Sequence, residues 1–180
     1  DLLVGAALLQ AEQNGTIKLP PVRSRISQLM VFKSTIEAFL LGSEAACETT
    51  EAGYVMPNQA IQNAGRVYCS MNYSAIVNHL RDLGGGQPVM LPDRAMLESP
   101  ETMADIEKYF RVGNHSAETR LRTLSLLHDL TGSAYAGRAQ AYQMFAETPV
   151  FAQEAALFET YDRKTALARA RQIAGLAEAA

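Results

Sequence analysis

The stretch from Ser116 to Phe151 most constrains what this chain can fold into. Within it Leu121, Leu124, His128, Tyr135, Tyr142 and Phe145 recur at spacings of three, four or seven, the repeat of one buried helical face. Read as one helix of about thirty residues, it would span roughly 45 Å, long enough to be the spine of a bundle. Ser116 is a fitting N-cap, and Glu118 sits where the first turn favours negative charge. Thr148-Pro149-Val150-Phe151 should end the spine, because Pro149 has no amide hydrogen and holds Thr148 extended. Such a break exposes carbonyls and makes a short irregular turn where a ligand could sit.

The rest of the chain carries the same helical signature. Asp1 to Asn14 reads as a helix closed by Asn14-Gly15. After Leu19-Pro20-Pro21 a long helix is expected from about Val22 to Glu51, with Ile26, Leu29, Met30, Ile36, Leu40 and Cys47 on one side. Asn58 caps a third helix predicted from Gln59 to about Leu83, which Gly84-Gly85-Gly86 ends. Only Val89-Met90-Leu91 reads as a strand; Pro92 to Ser99 has no clear period. Shorter helices are expected over Pro100–Tyr109, Gln153–Thr160 and Arg163–Glu178. Long helices with short connections imply antiparallel neighbours, hence an all-α bundle.

Size and composition bound the partners. At 180 residues, 48% hydrophobic and 19% charged, the chain suits one globular helical domain. A net charge of -3 provides no basic field for nucleic acid or an acidic membrane, and no apolar run approaches the roughly 20 residues that span a bilayer. Cys47 and Cys69 lack metal-ligand spacing and read as buried thiols of a cytoplasmic protein. The opening at Asp1, with Leu2, Leu3, Leu8 and Leu9 already in helical phase, suggests a piece of a longer chain.

The residues alone specify little chemistry. His128 on the apolar stripe is expected to be a core or interface histidine with a satisfied nitrogen. His79 and His115 have no neighbour at ligand spacing, so no metal is assigned. The triple glycine lacks the preceding strand and following Gly-Lys-Ser of a phosphate loop, and reads as a helix end allowing close packing. Arg138 could hold a pyrophosphate or carboxylate, or serve a structural pair.

Taken together in their order, Asp82-Leu83-Gly84-Gly85-Gly86, Val89-Met90-Leu91-Pro92, Leu130-Thr131-Gly132-Ser133-Ala134-Tyr135-Ala136-Gly137-Arg138 and Tyr142 resemble the C-terminal domain of the 4-hydroxyphenylacetate 3-hydroxylase family. The opening Asp1 to Ala7 and Ala11 to Gly15 resemble the start of that domain, so the likeness covers nearly the whole chain. It implies an acyl-CoA dehydrogenase-like C-terminal four-helix bundle with extra C-terminal helices, residues 148–180 forming the extension. N-terminal helical and middle β-barrel domains would complete the subunit, and four subunits a homotetramer built as a dimer of dimers.

The resemblance also implies a function. Enzymes of this family take reduced FAD from a separate flavin reductase, react it with oxygen, and hydroxylate a phenol beside its existing hydroxyl. Their catalytic base, and the arginine, tyrosine and histidine that serve the oxygen step, belong to upstream domains. The likeness therefore places no catalytic residue in this chain, and isolated residues 1–180 are expected to be catalytically silent. A flavin-contacting turn carries over onto Glu147, Thr148, Pro149, Val150 and Phe151, with Thr148 and Phe151 standing where the family has an aspartate-like and an arginine-like position. Gly84 and Gly85 would approach the adenine side of the flavin across a subunit boundary, and Arg138 joins the cofactor-binding set. Two other readings stand beside this one: a 4-hydroxybutyryl-CoA dehydratase-like domain of an FAD and iron-sulfur enzyme, and a purely structural assembly module.

Overall fold

A computed structural model of the chain describes residues 1–146 and 148–176, so Glu147 and the expected end of the last helix at Glu178 lie outside the described residues. The elements in order are α1 (Leu2–Gln13), α2 (Pro20–Ala45), β1 (Glu48–Thr49), β2 (Val55–Met56), α3 (Gln59–Gly84), a 3-10 turn (Gln87–Val89), α4 (Arg94–Glu98), α5 (Pro100–Phe110), α6 (Ala117–Thr131), α7 (Ala134–Phe145), α8 (Val150–Thr160) and α9 (Arg163–Ile173).

Local chemistry sets most helix ends where the sequence places them. Gly15 adopts φ +66, and the amides of Thr16 and Gly15 donate to the carbonyls of Ala11 and Glu12, each at 2.9 Å. This paired arrangement satisfies carbonyls that the end of α1 would otherwise leave bare. Asn58 Oδ1 accepts from the Ile61 amide at 3.0 Å, and Ser116 Oγ accepts from the Thr119 amide at 3.3 Å. Prolines occupy the first turns of α2 and α5, where no intrahelical donor is needed.

Three expectations need correction. The spine is two helices: the amides of Gly132 and Ser133 both return to the His128 carbonyl, at 2.8 and 3.0 Å, and Ser133 Oγ then caps α7 through the Ala136 amide at 3.1 Å. A residue whose side chain offers a new N-cap restarts the helix rather than continuing it. Helix α2 stops at Ala45, because β1 and β2 form a short antiparallel pair with Glu48 opposite Met56 and Gly53 at φ +83 in the turn. Val89 closes a 3-10 turn, and α4 occupies the stretch that has no clear period.

Four helices share one core, in which Ala6, Ala7 and Ala11 of α1 meet Ile26 and Leu29 of α2, Ile76 and Leu80 of α3, and Leu124 and Leu127 of α6. The alanines on α1 let it settle close against the other three. Arg81 of α3 donates to the Thr131 carbonyl at 2.6 Å, placing a cation at the negative end of α6. Helices α7 and α8 lie along α3: Gln140 Nε2 donates to Ser74 Oγ at 2.7 Å, and Ser70 Oγ to Gln153 Oε1 at 3.1 Å. Cys47 is exposed rather than buried, since α2 ends before it, and Cys69 is half-buried. Among the described residues, no helix is long and apolar enough to cross a membrane.

Leu80 is completely buried at the meeting of the four helices, whereas Leu41 is 61% exposed on α2. Leu80→Ala is expected to cost about 2–5 kcal/mol and Leu41→Ala less than about 0.5 kcal/mol, measured by urea unfolding.

Candidate functional site

At the C-terminal end of α3, Gly84 is buried, and a Cβ there would stand 3.0 Å from Pro88 Cγ and 3.7 Å from Leu127 Cδ1. The lack of a side chain lets the 3-10 turn fold back onto the bundle. Gly85 turns the chain at φ +61, and its amide returns to the Arg81 carbonyl at 3.0 Å. Beyond it, Gly85 and Gly86 are exposed, and a Cβ added at either would meet nothing within 4 Å. Their backbone is open to close approach by a ligand.

Behind this turn lies Arg120, 1% exposed. Its Nη1 donates to Gln10 Oε1 at 2.6 Å and Gln13 Oε1 at 3.4 Å, and its Nη2 to Gln87 Oε1 at 2.8 Å. Gln13 Nε2 in turn donates to Thr123 Oγ1 at 2.8 Å. Among the described residues no carboxylate is bonded to this guanidinium, and its Nε has no partner. Burial pushes its pKa down from the usual arginine value, yet an arginine keeps its proton in any ordinary buffer. A cation sits in the core, held by the side-chain amide oxygens of Gln10, Gln13 and Gln87.

The second expected feature is the turn after α7. Helix α7 ends at Phe145, before Thr148-Pro149, and Pro149 serves as the N-cap of α8. Its carbonyl accepts from the amides of Ala152 and Gln153 at 2.9 and 3.2 Å. Gln153, 5% exposed, binds the turn to the bundle: its Nε2 donates to the Thr148 carbonyl at 2.8 Å while its Oε1 accepts from Ser70. Phe151 projects into solvent at 73% exposure. Beside the turn a cleft of about 180 Å³ is lined by Arg66, Ser70, Tyr142, Gln143 and Gln153.

Arg138 is exposed on α7, so it does not lie on a buried side. By helical spacing it shares a face with Tyr135, Tyr142 and Phe145, which are 61%, 69% and 58% exposed. These aromatics were expected on the buried stripe. The break at Gly132-Ser133 changes the helical phase; α7 buries Ala136 and meets Ser74 of α3 through Gln140 and Met144 instead. His128 also departs from expectation, since its Nδ1 is buried without a hydrogen-bond partner.

The candidate residues form two places rather than one. The turn at Thr148 is anchored at Ser70 and the glycine turn at Gly84, fourteen positions further along α3 by residue number and thus about 21 Å away along its axis. Arg120, Gln87 and Gln153 escaped the reading of the sequence because they are polar. Their signal was nevertheless present for Arg120, which stands four and seven positions before Leu124 and Leu127 and so on the same buried face.

This architecture is the helical bundle of the acyl-CoA dehydrogenase-like fold. Among solved structures, an oxygen-tolerant archaeal 4-hydroxybutyryl-CoA dehydratase from N. maritimus superposes with a TM-score of 0.91 at 22% identity, over 99% of this chain and 36% of that one. The oxygenase component of 4-hydroxyphenylacetate 3-monooxygenase complexed with FAD superposes with a TM-score of 0.89, also at 22% identity, over 95% of this chain and 36% of that one. The family model described as "4-hydroxyphenylacetate 3-hydroxylase C terminal" matches residues 1–175, and the chain belongs to that family. FADH(2)-dependent monooxygenase TftD of Burkholderia cepacia is 29% identical over 166 residues, 92% of this chain and 32% of that protein. The oxygenase component of a 4-nitrophenol 4-monooxygenase/4-nitrocatechol 2-monooxygenase from Rhodococcus opacus is 28% identical over 151 residues, 84% of this chain and 29% of that protein. The chain thus spans about a third of the length of these relatives.

Gln153→Leu removes both hydrogen bonds that hold the Thr148 turn and leaves the Ser70 hydroxyl only its longer bond to the Gln143 carbonyl, at 3.5 Å. It is expected to destabilise this corner by about 1–3 kcal/mol. Amide exchange should accelerate at Val150 to Gln153 and stay unchanged at Leu124 to Leu127; equal acceleration in both would show that the turn is not a separate unit.

Proposed function

We propose that this chain is the C-terminal bundle of the oxygenase component of a two-component aromatic monooxygenase that uses reduced FAD. The observation that carries the reading is the family match over residues 1–175, joined by sequence relatives whose names are FADH(2)-dependent or nitrophenol monooxygenases. The bundle would contribute a wall of the flavin site and contacts between subunits, while the catalytic residues stand on upstream domains. When bound, reduced FAD supplies the electrons that let oxygen be inserted into a phenol.

The residues present suit such a wall. Gly85 and Gly86 present open backbone to which a flat ring or a phosphate can come close. Gly84 shapes that turn from below by admitting Pro88. At the other place Thr148, Pro149, Val150 and Phe151 offer backbone and an exposed ring without the charged contact of an arginine. The Thr148 carbonyl is already occupied by Gln153, so its hydroxyl and the Phe151 ring are the groups left to meet a ligand. Arg138 stands among exposed aromatics, where its guanidinium can pair with an anionic group or stack on a ring.

Residues 148–180 would act as the extension that carries the turn. The subunit would assemble as a homotetramer in the cytoplasm, receiving its flavin from a separate reductase. The high structural likeness to a 4-hydroxybutyryl-CoA dehydratase favours a second reading, an FAD and iron-sulfur enzyme with the same bundle. Visible absorption of the purified full-length protein separates the two, since an iron-sulfur cluster adds a broad band that flavin alone lacks.

In the full-length protein, FAD is expected to slow amide exchange at Thr148, Val150, Phe151 and Gly85 to Gln87. Gly86 has a negative φ of -79 and space for a methyl group, so Gly86→Ala should keep the melting temperature while weakening FAD binding about tenfold. Unchanged exchange at both turns on FAD addition would refute the flavin-wall reading.

A further inference from the structure

Gln87 immediately follows the open Gly85-Gly86 backbone and is itself exposed, yet its side-chain oxygen faces inward to Arg120 at 2.8 Å. A guanidinium can only donate, so the amide must turn its oxygen toward Arg120. The Nε2 group is thereby left on the outer side. An unrestrained surface glutamine offers a donor and an acceptor interchangeably; this one has its acceptor occupied and presents a donor. The bond to a cation also withdraws electron density from the amide oxygen, which makes the remaining N–H groups better donors. Arg120 cannot swing away to release it, because Gln10 and Gln13 hold its other arm inside the core.

We propose that Gln87 is a ligand-binding residue, oriented from the core by Arg120, that donates a hydrogen bond to an anionic oxygen of the FAD pyrophosphate. Arg120 is its positioning residue. An oriented donor beside open glycine backbone, with an uncompensated positive charge behind it, selects a negatively charged acceptor. The assignment rests on the reading of the glycine turn as a flavin contact.

The discriminating variant is Gln87→Glu in the full-length protein. It keeps an oxygen facing Arg120, so the turn should stay in place and the melting temperature should hold or rise. Its outward atom becomes a second carboxylate oxygen, which repels an anion. Gln87→Met removes the donor without adding charge. FAD dissociation constants from fluorescence titration are expected to rise about tenfold for Gln87→Met and further for Gln87→Glu. Wild-type affinity in Gln87→Glu overturns the proposal, and so does a Gln87→Glu affinity no weaker than that of Gln87→Met, since the partner would then not be anionic. Gly86→Ala separates this from the underlying reading. If it weakens FAD binding while the Gln87 variants do not, only the role of Gln87 fails; if none of the three alters FAD binding, the glycine turn is not a flavin contact.

Discussion

A positive charge buried with no bonded carboxylate among the described residues is the constraint around which this bundle is arranged. Removing a guanidinium from water costs several kcal/mol unless its donors find acceptors. Here the acceptors come from three separate parts of the chain: Gln10 and Gln13 on α1, and Gln87 in the glycine turn. Both arms of the guanidinium are satisfied only when all of these parts are in place. The first helix, the sixth and the turn at the end of the third are therefore fixed relative to one another by one side chain. Amide oxygens rather than carboxylates leave the net positive charge in place close behind the exposed backbone of Gly85 and Gly86.

The glycine turn depends on this arrangement in a second way. Pro88 packs over Gly84, and Gln87 next to it reaches Arg120, so the turn is pinned on its inner side while its outer side stays bare. A turn held from behind presents its backbone in one conformation, which lowers the ordering cost of binding. The Thr148 turn follows the same logic beside the middle of α3, at Ser70. Gln153 holds it from below through Ser70 and the Thr148 carbonyl, and Phe151 remains outside.

The division of the expected spine into α6 and α7 decides which surfaces the bundle keeps for itself. Before the break, Leu124 and Leu127 lie in the core; after it, Tyr135, Tyr142 and Phe145 face outward with Arg138. An unbroken helix would have carried the stripe onward in phase. Two amides sharing the His128 carbonyl, followed by the Ser133 cap, turn the second half so that small and polar residues meet α3 instead. The aromatic side stays exposed on the surface of the bundle.

By itself the sequence determined the helical class, the family and the helix ends that rest on local chemistry. Asn58 and Ser116 cap helices through amides three residues on, and Gly15 and Gly85 take positive φ, all within the reach of neighbouring residues. Only the tertiary structure decided what those helices bury. The bond from Arg120 to Gln10 joins residues 110 positions apart, and no local pattern marks a glutamine as the partner of a distant arginine. Periodicity identifies a face, but polar residues on it are read as solvent-facing until the elements that cover them are known. For the same reason the aromatic repeat at Tyr135 and Tyr142 looked like core: spacing records which residues share a side, and packing chooses the side.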